Sequence, residues 1–450
     1  MYTIPADYFF RLHHVRPRFK KNIENVLAYM AFTIVELDGL KNKKFKDEMS
    51  EAIRSFSGNE DYADKTIQNW RTEISALFSM IKAVEDKTFA TDIAKELADT
   101  SNLRRFFLRI VLTFQYPGGF LKPREIAEVT SRAVLFSPCL WISEFFTSDL
   151  DSNEKYITDV EFCHCVLNDL RVTADNESIG LTTERILYNR KHNIEYNAAG
   201  DTKRYALDLL DYFVLAGILM KDYQGKYFLR EETIPLLSFF KKNHQYFEAY
   251  QHYTDIKDIA SIKNDWISYV NNQSYELLYK FDQEYTASLA DSANDDLAVY
   301  ANTKQIGDKG EALTLAHEKI WLAQNNRPDL VKFVQHIPTQ FAMGYDVSSR
   351  ELNTNPKHIE VKTTLSEHDL TIHRVHLTPN EWAVAEGYRD SYYIYRIQIT
   401  ENRKTLWVIK DPVGLYKKDK LKMTPRDGAD LTFDETCYEE VELLEYSREA

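Results

Sequence analysis

An acid and a base stand two residues apart near the C-terminal end of the chain, in Ile359-Glu360-Val361-Lys362-Thr363-Thr364. Side chains alternate across a strand, so a strand here puts Glu360 and Lys362 on one face and turns Ile359 and Val361 toward a core. A second carboxylate, Asp346 in Gly344-Tyr345-Asp346-Val347, is separated from Glu360 by 13 residues, enough for a turn and return. If that segment folds back as a hairpin, the two acids reach one point. They can then hold a divalent cation while Lys362 fixes or polarises a water for hydrolysis. The same three side chains also fit a plain salt-bridged strand edge, and their spacing leaves both readings open.

Other elements must bring these groups together. Upstream, Ile306-Gly307-Asp308-Lys309-Gly310-Glu311 leads into Ala312, Leu313, Leu315, Ala316, His317, Ile320, Trp321 and Leu322. That apolar spacing predicts a helix packed on a sheet, with Gly310 at its entrance and Glu311 in its first turn. Glu311 is a third carboxylate of the site if the turn approaches the strand, and otherwise an acid favoured at a helix N-terminus. Residues 332–337 predict a strand or strand approach. His317, His358, His368, His373 and His376 are not needed; His373 and His376 are close enough in sequence to suggest zinc, but strand or surface positions account for them more simply.

The ordered blocks Ile306-Gly307 through Gly310-Glu311, Gly344-Tyr345-Asp346-Val347, Ile359 to Thr364, Leu377-Thr378-Pro379-Asn380-Glu381-Trp382 and Tyr392-Tyr393-Ile394-Tyr395-Arg396-Ile397 resemble the restriction-endonuclease-like PD-(D/E)XK superfamily. More narrowly, they resemble the C-terminal domain of the NO VEIN proteins, over about residues 300–410. The resemblance implies metal-binding acids at Asp346 and Glu360, an active-site lysine at Lys362 and a first-helix acid at Glu311. It implies Mg2+ as cofactor, with Mn2+ as a substitute. Tyr345 stands where the superfamily pattern has proline, a departure that touches turn geometry more than chemistry. Asn380 is expected to cap the helix after the third strand, with Trp382 packed beneath it.

Before this region the chain reads mainly helical. Ile23, Val26, Leu27, Met30 and Ile34 recur near a period of 3.6, as do Ile67, Trp70, Ile74, Leu77, Phe78 and Ile81. Pro123 can open another helix after the Tyr116-Pro117-Gly118-Gly119 break. Tyr205 to Leu215 suggests a helix ending by Gly217, followed by a strand, the turn Asp222-Tyr223-Gln224-Gly225 and a second strand through Arg230. That order matches the end of a winged helix, with residues 121–134 as a candidate further helix. Tyr246, Phe247, Tyr250 and Tyr253 can stack on bases, but their spacing favours a core stripe.

The expected architecture is a multidomain α+β protein. It has a helical N-terminal domain (1–115), a candidate winged-helix recognition domain (116–240), a helical connector (241–300) ending in a linker at 291–296, an α/β restriction-endonuclease-like nuclease core (301–425) and an acidic C-terminal segment (426–450).

A net charge of −13 argues against an evenly basic nucleic-acid surface. The positive charge is concentrated early, at Arg11, Arg16, Arg18, Lys20, Lys21 and the lysines at 41, 43, 44 and 46, while acids crowd the last residues. Arg16, Arg18, Lys20 and Lys21, with Lys226 and Arg230 on the expected wing, are the candidate DNA contacts. Four cysteines are too few for a disulfide framework, and Cys163-His164-Cys165 has no second pair at zinc-finger spacing. No segment approaches the roughly 18 to 20 apolar residues that cross a bilayer. A cytoplasmic protein with no membrane association is expected.

Together these features point to a metal-dependent endonuclease on double-stranded DNA, recognising a sequence or base modification in a prokaryotic restriction or antiphage setting. Cutting two strands suggests a homodimer, permanent or assembled on DNA. The rivals are a catalytically inactive DNA-binding or regulatory protein with a nuclease-like fold, and an RNA nuclease within a defence complex.

Overall fold

A computed structural model describes residues 1–56, 61–148, 155–197, 202–253, 255–289, 303–338 and 342–446. The chain divides into two compact units, Met1–Lys95 with Arg104–Tyr300, and Glu96–Leu103 with Ala301–Ala450. The expected boundary at 300/301 coincides with this division. Those at 115/116 and 240/241 fall inside the first unit, and the expected linker at 291–296 lies outside the described residues.

In the first unit, helix Ile23–Glu36 buries Val26, Leu27, Met30 and Ile34, and helix Asp64–Thr72 buries Ile67 and Trp70. The helical stripe stops short of Ile81. There the chain forms a hairpin, β1 (Ile81–Val84) on β2 (Lys87–Ala90), turning through Glu85 at a φ of +53°. Helix Pro123–Ser131 starts on its proline as expected. Further on lie β3 (Ile157–Thr158), β4 (Leu219–Lys221) and β5 (Lys226–Leu229), an antiparallel sheet in the order β3-β5-β4. Helix Thr202–Leu215 leads into β4. Asp222 organises the β4–β5 turn, its Oδ1 accepting from Gln224 N at 2.8 Å and Lys226 N at 2.9 Å. Tyr223 stands 95% exposed at its tip. Helix, strand, turn and strand therefore follow the expected order, and β3 is a partner the sequence did not reveal. Of the aromatic group, Tyr250 is buried and Phe247 packs on Trp266 and Tyr269, whereas Tyr253 is exposed.

The second unit contains β6 (Gln335–His336), β7 (Val347–Arg350), β8 (Pro356–Leu365), β9 (Arg374–Leu377), β10 (Tyr392–Ile399), β11 (Lys404–Lys410), β12 (Lys422–Pro425), β13 (Ala429–Thr432) and β14 (Glu439–Val441). The main sheet runs β14-β11-β10-β8-β7-β6, with β8 and β10 parallel and the other neighbours antiparallel. A smaller antiparallel sheet runs β12-β13-β9. On one face of the main sheet, Val347, Ile359, Val361 and Ile397 pack with Ile306 and Leu322 of helix Thr303–Gln324. On the other, Tyr392, Ile394 and Ile409 pack with Leu377, Leu431 and Ala385 of helix Pro379–Tyr388. Covered on both faces, β10 is buried along its whole length.

Two expectations need correction here. The first helix begins at Thr303, so Gly310 and Glu311 lie in its interior and not at its entrance. Gly310 serves close packing: a Cβ there would collide with Thr363 Oγ1 and stand 3.2 Å from Val361 Cγ1 on β8. Residues 426–450 are not a separate acidic segment either, because β13 and β14 complete the two sheets. There Trp407 Nε1 donates to Glu440 at 3.2 Å and Lys404 pairs with Glu445 at 2.5 Å. His373 and His376 take separate partners, Tyr438 and Asp430, and His376 lies on β9, in keeping with the simpler strand reading.

Register on β8 is fixed by a second lysine facing away from Lys362. Lys357 is buried and donates to Glu318 Oε1 at 2.8 Å and to Tyr395 OH at 2.7 Å, while Ser349 donates to Glu318 Oε2 at 2.6 Å. Among the described residues, no helix is long and apolar enough to cross a membrane.

Candidate active site

Strand β7 pairs with β8 as far as Val347 opposite Ile359. One residue earlier, Asp346 donates its N–H to Ile359 O at 2.9 Å, and its Oδ2 accepts from Val361 N at 2.8 Å. The carboxylate thus satisfies a backbone N–H on β8 where β7 has departed. Gly344 makes the preceding turn at a φ of +70°, where a Cβ would meet Val384 Cγ2 at 2.7 Å. Tyr392 OH holds the same turn by donating to Gly344 O at 3.0 Å. Tyr345, just before Asp346, rests edge-on against His358.

Glu360 and Lys362 share one face of β8, as the alternation predicts. Glu360 is 4% exposed, and its Oε1 lies 2.7 Å from Lys362 Nζ. A further acid completes the group: Glu381 Oε2, from helix Pro379–Tyr388, lies 2.7 Å from the same nitrogen. The sequence reading missed Glu381. Its helix is capped by Thr378, whose hydroxyl accepts from Glu381 N at 3.3 Å while Glu381 Oε2 accepts from Thr378 N at 3.0 Å. Asn380 is not the cap, and instead donates to Ala342 O at 2.9 Å.

Carboxylates outnumber cations here. Burial raises the Asp346 carboxyl to about 6, with Glu311 and Glu381 adding to the effect against the Val361 N–H and Lys362. Burial also pushes Glu360 well above the usual range, despite Lys362, and the charges of Asp346 and Glu381 push the same way. Burial works against the Lys362 ammonium too, but Glu360 and Glu381 outweigh it and hold it above its ordinary value. For Glu381 the burial penalty is overcome by Lys362 and the cap contact, leaving it lowered.

Glu311 is engaged by His336, with Oε2 and Nε2 at 2.6 Å. Among the described residues, no three His, Cys, Asp or Glu side chains form a ready metal cage, so the expected three-carboxylate centre is not formed. Asp346 and Glu360 offer hard oxygen donors at a point short of positive charge. That set suits Mg2+, which commonly takes one or two carboxylates and completes its shell with water and substrate phosphate. Cys163 and Cys165 are buried thiols raised to about 12 by desolvation, outside any such set.

The expected basic arm is largely committed within the first unit. Arg16 pairs with Asp208, and Lys20 lies 2.7 Å from both Asp208 and Asp211, the Asp208 side chain being fully buried. Arg18 pairs with Glu73 at 3.4 Å but stays half exposed, and Lys21 is exposed. Lys226 lies over the Tyr156 ring at 4.5 Å, and Arg230 is half-buried at the end of β5.

The model of the N-terminal region of restriction endonuclease BpuJI matches residues 2–267, more than half of the chain, and the chain belongs to that family. Residues 311–409, which hold Glu311, Asp346, Glu360, Lys362 and Glu381, match the C-terminal region of protein NO VEIN. Among solved structures, the BpuJ1 endonuclease binding domain in complex with pyrene- and phenanthrene-modified DNA is similar to this chain in fold, with a TM-score of 0.54 and 21% identity. The match covers 60% of this chain and 100% of that one. No curated protein matches the chain significantly.

Proposed function

We propose that the protein is a metal-dependent DNA endonuclease of restriction type, in which the first unit recognises duplex DNA and the second hydrolyses its backbone. The observation that carries this reading is the meeting of Asp346, Glu360 and Lys362 at one strand edge. They lie in a region similar to the NO VEIN C-terminal domain, on a chain whose other half is of the BpuJI family. The likeness to a binding domain in complex with DNA supports giving recognition to the first half.

In this reading the second unit is a PD-(D/E)XK core. Asp346 and Glu360 would hold Mg2+, or Mn2+ in its place, and the bound cation would offset the charge that develops on the phosphodiester. The Val361 N–H orients Asp346, Lys362 donates to the attacking water and favours its hydroxide form, and Glu311 adds negative charge from the neighbouring helix. The products are a 3′-hydroxyl and a 5′-phosphate. Helix Thr202–Leu215 and the β4–β5 hairpin act as a winged helix, with Tyr223, Lys226 and Arg230 toward DNA. A homodimer, permanent or assembled on DNA, supplies two cuts in a prokaryotic restriction or antiphage role.

The test is cleavage of a mixed library of modified and unmodified duplexes with Mg2+ or Mn2+, followed by sequencing of the ends. Asp346→Ala and Glu360→Ala are expected to abolish cleavage while leaving duplex binding in place. A wild-type protein that binds duplex yet cuts no better than Lys362→Ala in either cation overturns the assignment. That outcome belongs to the second reading, a non-cleaving DNA-binding protein, which one observation favours: Lys362 is already compensated by two carboxylates.

A further inference from the structure

An ammonium group has three N–H donors. Among the described residues, two are taken on Lys362, by Glu360 Oε1 and Glu381 Oε2, and the side chain keeps 24% exposure. The two acceptors are anchored differently. Glu360 belongs to the same strand and is also the proposed cation ligand. Glu381 comes from another element, and its carboxylate is immobilised by the capping box with Thr378 before it meets the lysine.

We propose that Glu381 is the positioning residue of the site. With Glu360 it clamps the ammonium at two points, so that the third N–H is directed outward toward water or a phosphodiester oxygen. It is the acceptor left to hold Lys362 when Glu360 serves a cation. The consequence for cleavage rests on the nuclease reading above; the clamp does not.

Three variants separate this role from helix capping. Thr378→Ala removes the cap hydroxyl but keeps the backbone N–H that holds Glu381, so melting falls by a few degrees while kcat falls far less than in Glu381→Ala. Glu381→Ala removes the anchor, and kcat falls on the order of a hundredfold, with KM for duplex within about twofold. Glu381→Gln keeps an acceptor oxygen and the capping contact, and recovers most of the lost rate.

The second readout needs neither metal nor cleavage. In 1H–15N spectra of the metal-free full chain, a clamped ammonium exchanges slowly with water and gives its own signal, assigned to Lys362 by its loss in Lys362→Arg. Wild type and Thr378→Ala are expected to show this signal, and Glu381→Ala to lose it. Absence of the signal in wild type, or its survival in Glu381→Ala, overturns the clamp whatever the activity. If the signal behaves as expected and wild type does not cut, the clamp stands and the nuclease reading falls. If wild type cuts and Glu381→Ala keeps its kcat, the positioning role is wrong.

Discussion

Alanine at Gly310 and, separately, at Gly307 tests whether the absence of a side chain is what brings helix Thr303–Gln324 onto β8. Both positions are interior to the helix, where alanine is favoured over glycine by about 1 kcal/mol. That common gain cancels when the two variants are compared. At Gly307 the nearest atom of the described residues to a new Cβ, apart from the helix's own backbone and the chain neighbours, is Glu311 Oε1 at 4.0 Å. At Gly310 the Cβ collides with Thr363 Oγ1 and lies 3.0 Å from Thr363 Cβ and 3.2 Å from Val361 Cγ1. Rotating the Thr363 hydroxyl relieves only the first contact, because Thr363 Cβ is fixed to the strand backbone and the valine methyl is stiff at χ1. The helix or the strand must shift, an overpacking cost of about 1–3 kcal/mol. With about 2–4 °C per kcal/mol in a unit of this size, Gly307→Ala melts a few degrees above wild type. Gly310→Ala melts about 2–12 °C below Gly307→Ala. Differential scanning calorimetry reads the gap directly. Coincident melting of the two variants refutes the close-approach argument, and with it the account of how Glu311 is brought near Asp346.

Burial raises Glu73 to about 7 despite Arg18, so its contribution to stability is full below the unfolded value near 4.5 and is lost as pH rises through 7. Glu73→Gln should therefore flatten the fall in urea midpoint between pH 5 and 8, and unchanged pH dependence would reject this. The ordinary phosphate arm and the buried ion-pair network also make different demands. Lys21→Ala should lower the salt slope of duplex binding by about one contact with no change in melting, whereas Arg16→Ala with Lys20→Ala should destabilise the first unit by about 3–5 kcal/mol by stranding Asp208. Equal melting of the two variants would return Arg16 and Lys20 to the arm. Lys357→Ala should likewise cost about 3–5 kcal/mol, since Glu318 would be left buried without its cation; a denaturation midpoint within error of wild type would show that Ser349 and Tyr395 alone carry that charge.

What was legible in the sequence is what local periodicity controls. Alternation in β8 placed Glu360 and Lys362 together, and the spacer to Asp346 was long enough for the return through β7. Contacts between distant segments were not legible. Arg16 and Lys20 look like a free basic arm because their partner, Asp208, lies 192 and 188 residues away. Gly310 reads as a helix entrance because glycine most often marks ends, yet here the absent Cβ serves tertiary packing.

Glu381 shows the limit most clearly, because half of its signal was present. Thr378-Pro379-Asn380-Glu381 has capping-box spacing, which identifies Glu381 as an acid held by its own helix terminus and points away from Asn380 as the cap. Nothing in that pattern says that the held carboxylate faces Lys362. That depends on where β9 delivers the helix, and β9 is set by pairing with β13, in the segment that charge alone reads as an acidic end. Gly428 tightens this arrangement: at a φ of +118°, its missing Cβ makes room for the backbone of Leu377 and Thr378. The position of Glu381 therefore rests on residues some fifty places further along, so a motif confined to the strand and helix captures the residue types of the site but not their alignment.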